Sequence, residues 1–331
     1  MFRFARALAA GLSALTLSAF QAAPPELPPR LAALAEDAAA ARAFDYMALK
    51  AEGADLAALS TAAFLRGRVD ADTQRCLTEA ETELHAGLSA AAEAGDAAAF
   101  EADRASAEAA WASWRAFDEH VMGGAVIDQP PFSYVADRVT MAEAATDPRV
   151  RELLRRAARD QLLRRGWDPV PEVWPEPPSP GAWSRYQSLL QRQSCEVDTA
   201  NTAWLKADVE ANGWYRISVH GEAAASAAWL LAQHADRDRA FQRHVLTLLE
   251  PLVAEGEVAS SNYAYLHDRL AVAENRPQRY GTQGRCVARN AWEPFELEDP
   301  ARTDVWRNQV EIGSLAEYAA HMNGVCSSFD G

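Results

Sequence analysis

The chain has 331 residues, 47 of them acidic against 32 lysines and arginines, and a formal net charge of −15. That balance excludes the basic stripe a nucleic-acid binder needs, and it repels anionic lipid headgroups. Beyond the N-terminus, no segment approaches the length of a membrane span.

The first residues, Met1-Phe2-Arg3-Phe4-Ala5-Arg6, lead into an apolar run from Ala7 to Phe20. Two arginines, a short apolar stretch and the small pair Ala22-Ala23 have the form of a secretory signal peptide over residues 1–22. Pro24, Pro25, Pro28 and Pro29 follow at once and argue against a buried N-terminal helix. No cysteine follows that could carry a lipid. The mature protein is therefore expected to be periplasmic or secreted, with no membrane anchor and a charge of about −17. In an oxidising compartment Cys76, Cys195, Cys286 and Cys326 permit disulfides. Cys286 and Cys326 share the short C-terminal region, which favours that pair over the others, with free buried thiols as the alternative. None is spaced as C-x-x-C, which gives little support to redox or zinc chemistry, and no metal or cofactor is assigned.

In chain order, residues 23–145 form an alanine-rich helical region and 146–331 a helical domain that carries the polar motifs. Leu31, Leu34, Ala38, Ala41 and Asp45 recur at helical spacing within about 30–66. Two further helices, about 74–94 and 97–121, flank Gly95 and suit a helical hairpin, with Trp111, Trp114 and Val121 as core anchors. Gly123-Gly124 and Pro130-Pro131 suggest a boundary. Asp147-Pro148 opens the next helix as cap and first residue, and the prolines of 166–181 make a loop. A long helix follows over about 182–211 and ends at Asn212-Gly213; three more fit about 221–235, 237–255 and 260–274. Aromatic and β-branched residues between glycines predict a small hairpin or ordered loop over 278–297. Short helices over about 300–310 and 314–323 close an irregular all-α fold with a minor β element.

Several polar residues sit on apolar helical faces, where they need partners. Gln161 and Arg164 continue the stripe of Val150, Leu153, Leu154 and Ala157, with Asp160 one turn before Arg164. Asp198 and Asn201 flank the line of Tyr186, Leu190, Val197 and Trp204, as pocket lining or as a wet flank. Ala223, Ala227 and Leu230 lead to His234, which is either a satisfied core residue or an acid/base. Asp236 has the look of an N-cap for the next helix. Arg269 flanks Tyr263, Leu266 and Leu270, whereas Asp268 points almost opposite Leu266, which makes Arg269 the better site candidate. Tyr280-Gly281-Thr282-Gln283 reads as a tight turn that either presents Tyr280, Gln283 and backbone amides to a ligand or closes a hairpin.

Asp160-Gln161 with Arg164, Asp198 with Asn201 and Leu205, Gly213-Trp214, Gly221, Gln233-His234-Ala235-Asp236, Asp268-Arg269 and Gln278 through Gln283 form one pattern. It resembles the bacterial domain-of-unknown-function family 6624 from about Asp160 to about Tyr318. The family often has proline where this chain has Tyr215 after Gly-Trp, a departure confined to the local turn. The resemblance carries no activity; it implies that these polar residues recur as a set and share one site. No G-x-S-x-G, H-E-x-x-H or phosphate-binding glycine loop is present. Two readings follow. In one, a hydrolase-like or lyase-like enzyme uses His234 as general acid/base, with Asp160, Asp198 or Asp236 orienting it. Arg164 or Arg269 would bind an anionic group and Asn201, Tyr280 and Gln283 would complete a site for a small molecule or peptide. In the other, a non-catalytic helical protein uses the same network only to fix its packing.

Overall fold

The computed structural model describes residues 26–67, 74–123 and 133–329. The signal peptide read at 1–22 and the Gly124 to Pro131 part of the suggested boundary lie outside them. Among the described residues the fold is all-α, with fifteen helices and one two-stranded sheet. The chain forms two compact units. The first takes the described residues up to Ala144 together with Ala158–Ala200, and the second takes Ala145–Ala157 with Asn201–Gly331.

The first unit begins with α1 (Pro29–Leu34), α2 (Ala38–Ala43), α3 (Tyr46–Ala51) and α4 (Leu56–Leu65). The helical run expected over about 30–66 is thus broken into four. The cause is local: Asp37, Asp45 and Asp55 each turn out of the helix and accept backbone N–H groups of the next one. Aspartate satisfies a helix start better than it extends a helix. These short helices pack on α5 (Glu79–Glu93), whose start is a reciprocal capping box of Thr78 and Glu81. Gly87 of α5 lies under the Tyr46 ring, where a Cβ would meet Cε2 at 2.3 Å. After the predicted break, Asp96 caps α6 (Ala97–Met122), and α7 (Ser133–Ala144) follows, a helix the sequence pattern did not announce.

Then come α8 (Pro148–Arg165) and α9 (Pro180–Asn212), joined by the proline-rich loop and each contributing residues to both units. In the first unit Leu162 and Leu163 of α8 join Trp114 of α6, Trp174 of the loop, and Tyr186 and Leu190 of α9 in one core. The expected anchors Trp114 and Val121 are fully buried there. A disulfide between Cys76 and Cys195 ties the approach to α5 to α9.

In the second unit α9 ends at Gly213, whose φ of 75° is the left-handed backbone expected there. Arg149, at the start of α8, stacks its guanidinium 3.8 Å from the centre of the Tyr215 ring and binds Asp208 at 2.8 Å. That contact is what the tyrosine after Gly-Trp provides in this chain. The helices α10 (Ile217–His220), α11 (Glu222–Gln233), α12 (Arg239–Ala254) and α13 (Ser260–Ala273) follow, the last three packing on one another. The predicted hairpin is β1 (Gly284–Ala288) against β2 (Ala291–Pro294), antiparallel with Cys286 opposite Trp292. Finally α14 (Thr303–Gln309) and α15 (Leu315–Val325) close the unit. The favoured disulfide, Cys286–Cys326, is formed and ties β1 to the end of α15.

Candidate functional site

Of the candidate residues, Asp160, Arg164 and Asp198 lie in the first unit, and Asn201, His234, Asp236, Arg269, Tyr280 and Gln283 in the second. In the first, one helical turn separates Asp160 from Arg164 on α8, and the guanidinium reaches back to Asp160 Oδ1 at 3.5 Å. From α9, Asp198 accepts Arg164 Nη2 at 2.9 and 3.1 Å through its two oxygens. Gln161 Nε2 donates to Asp160 Oδ2 at 2.9 Å. Asp160 is fully buried and Asp198 nearly so, so this arginine faces two carboxylates in a poorly solvated place. The i,i+4 partnership read from the sequence is present.

Sequence reasoning missed a third carboxylate in this unit. Asp118 of α6 is buried, accepts Arg159 Nη2 at 3.1 Å, and leaves Oδ1 with no hydrogen-bond partner among the described residues. Burial pushes its carboxyl up, against the pull of Arg159. The signal was available: Asp118 falls between Trp114 and Val121 on the buried stripe of α6.

In the second unit His234 caps the C-terminus of α11. Two residues on, Asp236 accepts Arg269 of α13 through both oxygens, from Nε at 2.8 Å and Nη2 at 2.5 Å, and Gln242 Nε2 at 3.3 Å. Desolvation pushes this carboxyl up, but Arg269 and the charge of His234 outweigh it and hold Asp236 at about 2. Its side chain nevertheless remains 49 % exposed. The N-cap of α12 is Asp238, which accepts the Phe241 N–H at 2.8 Å, and not Asp236 as the sequence pattern suggested. Asp236 is drawn away from the cap by its fork to Arg269.

Two motif amides of the second unit are incomplete. Asn201 of α9 accepts Arg156 Nη1 at 3.3 Å, yet among the described residues its own Nδ2 has no partner, and Gln233, the last residue of α11, has none for Oε1. Both residues are 4 % exposed. A buried donor and a buried acceptor without partners are costly and require an explanation.

The Gln278–Gln283 segment is organised differently from the expectation. Asp268 is completely buried, not turned away from the packed side. It accepts the backbone N–H groups of Arg279 at 2.9 Å, Tyr280 at 3.1 Å and Thr282 at 2.9 Å, and the Thr282 hydroxyl at 3.1 Å. The segment folds over the face of α13 that the apolar pattern alone leaves to solvent, and it supplies the donors a buried carboxylate needs. Gln278 accepts the Gln283 N–H at 2.9 Å and donates to its carbonyl at 2.7 Å; Gln283 Nε2 donates to Thr282 Oγ1 at 3.1 Å. Arg307, itself buried, donates to the Tyr280 carbonyl at 2.6 Å. Gly281 at φ 65° makes the turn possible.

One cluster in the first unit looks like a nucleophile with its base. Ser60 Oγ lies 2.9 Å from His85 Nδ1, and Ser89 Oγ is 2.5 Å from Ser60 Oγ. The same Nδ1 is 3.1 Å from the Ser60 carbonyl, an oxygen that can only accept. Nδ1 therefore carries the proton and cannot take one from Ser60. Burial pushes this imidazole down to about 4, so it is a neutral donor between two helices.

Comparison with curated proteins and with solved structures finds no match. A family does match, over residues 149–326, more than half of the chain and nearly all of the second unit. The matched stretch contains every candidate residue described above from Asp160 to Gln283. The chain belongs to that family, whose description is Family of unknown function (DUF6624).

Proposed function

We propose that this protein is exported and that its second unit takes a small polar or peptide ligand beside the end of α11, with His234 as the acid/base of a hydrolase-like reaction. The observation that carries the reading is the unpaired amide chemistry of Asn201 and Gln233. One offers a buried N–H and the other a buried carbonyl, the complement of a peptide group, which presents one carbonyl and one N–H. His234 directly follows Gln233. Asp236, two residues on, is kept ionised by Arg269 and is the carboxylate proposed to orient it. Asp160 and Asp198 are the further carboxylate candidates and Arg164 and Arg269 the anion-binding ones; Tyr280 and Gln283 contribute as the ordered turn. Export is supported by the leader-like N-terminus and by the two disulfides.

The test is a screen of the full chain against generic ester and peptide substrates, with binding read by calorimetry and His234→Ala, Asp160→Asn and Asp198→Asn as separate comparisons. Loss of turnover or binding in His234→Ala, with an unchanged melting temperature, supports the reading. A second reading, a network that only fixes packing, is favoured by Asp268, whose bonds all serve the fold. On that reading His234→Ala costs about 1–3 kcal/mol of stability and no substrate or ligand distinguishes it from the parent protein.

A further inference from the structure

The first unit carries a cleft of about 390 Å³, the size of small-molecule sites, bordered by residues of α2, α5, α6 and α9. Its chemistry is unlike that of the chain as a whole. On a molecule with 47 acidic and 32 basic residues, this lining brings together as many arginines as glutamates. Arg115 of α6 stands out: it is exposed and has no hydrogen bond, ion pair or ring contact among the described residues. Arg192 of α9 binds Glu196 one turn away at 2.9 Å, a solvent-facing pair that yields readily to a better anion. Gln193 beside it has its Oε1 taken by Trp114 Nε1 at 3.0 Å, which leaves its NH₂ group for a ligand.

The acidic side of the cleft is divided by its bonding. Glu83 engages both oxygens, accepting Arg42 Nε at 3.0 Å and Arg185 Nη2 at 2.9 Å, so its charge is already compensated by two guanidinium groups. Glu79 is held by Arg42 through one oxygen only, and its side chain is 53 % exposed. The hydrogen bond and charge of Arg42 lower its pKa and keep it ionised. Trp111 and Leu189 give the remaining lining an apolar surface.

We propose that this cleft binds a ligand by two opposite termini, a free carboxylate and a free ammonium group, as an amino acid or short peptide presents them. The carboxylate goes to Arg115, Arg192 and the Gln193 NH₂, where a planar guanidinium fork suits it. The ammonium goes to the open oxygen of Glu79, and an apolar side chain lies on Trp111 and Leu189. The locally neutral lining then selects a zwitterion over a simple anion or cation, since each blocked terminus leaves one charged wall uncompensated.

Calorimetric titration of the full chain with alanyl-leucine, its N-acetyl derivative and its C-terminal amide tests this. The expected result is binding of the free dipeptide and at least about tenfold weaker binding of either blocked form. Arg115→Ala weakens the free dipeptide by a similar factor, and because Arg115 is exposed and unpaired the circular dichroism and melting temperature stay unchanged. Glu79→Gln abolishes the preference over the N-acetyl form. His234→Ala, in the second unit, leaves the titration as it was, which separates this cleft from the ligand proposed for the end of α11. The proposal is overturned by no heat with the free dipeptide, by equal affinity for the amide, by an Arg115→Ala protein that binds normally, or by loss of binding in His234→Ala.

Discussion

Asp268 shows how one carboxylate can organise a segment of chain. With the N–H groups of Arg279, Tyr280 and Thr282 all directed at it, Asp268→Ala strands several buried donors together. We expect a loss of about 3 kcal/mol or more in urea unfolding, with the turn from Gln278 to Gln283 losing its amide-exchange protection. Its importance was not legible from helical periodicity, because the face it occupies is covered by residues ten to fourteen positions later and not by another apolar stripe. Arg164 was legible, because its need for a partner and the i,i+4 position of Asp160 are both local facts. Glu81 gives a second residue-scale prediction. Burial pushes its carboxyl up, but Arg75, the Thr78 N–H and Arg66 outweigh this and hold it at about 2, below its ordinary 4.5. A depressed carboxylate contributes its full stability above pH 4.5 and loses it as pH falls toward 2. Since Arg75 and Arg66 are partly exposed, screening trims the effect to about 2 kcal/mol. Unfolding curves between pH 5 and 2 should therefore be flatter for Glu81→Gln than for the parent protein.

At the scale of elements, the long helices α6, α8 and α9 follow from their apolar spacing, and their ends fall within a few residues of the predicted ones. The N-terminal helices do not, because the propensity cost of the single aspartates Asp37, Asp45 and Asp55 is too small, among so many alanines, to mark a break by itself. Only the competition between capping and propagation, settled where each short helix can pack on α5, decides that these aspartates begin helices. The hairpin is a minor element with a covalent hold. Cys286–Cys326 closes a stretch of 40 residues that includes β1, β2, α14 and α15. Replacing both cysteines by serine should cost about 2–4 kcal/mol, and exchange of the β1 and β2 amides should accelerate more than that of α12 and α13. Equal acceleration throughout would show that the bridge holds the whole unit and not the hairpin.

For the whole molecule, the export proposed above rests on the N-terminal sequence and the two disulfides, and on that proposal N-terminal sequencing of exported material begins close to Ala23. The cysteine connectivity has a consequence for biogenesis. The bridges join Cys76 with Cys195 and Cys286 with Cys326, so each cysteine pairs with the next one along the chain. An oxidase acting on a chain that emerges N-terminus first meets the thiols in the order of their native partners. Cys76 waits through 119 residues for its mate, but no other thiol arrives in the interval. Both bridges can therefore close vectorially, with no wrong pair to be undone by thiol–disulfide exchange. Export into a periplasm that has its oxidase but lacks its disulfide isomerase should yield native, fully bridged protein. A requirement for the isomerase would mean that Cys286 emerges before Cys76 and Cys195 have closed, so that Cys76 is captured out of turn.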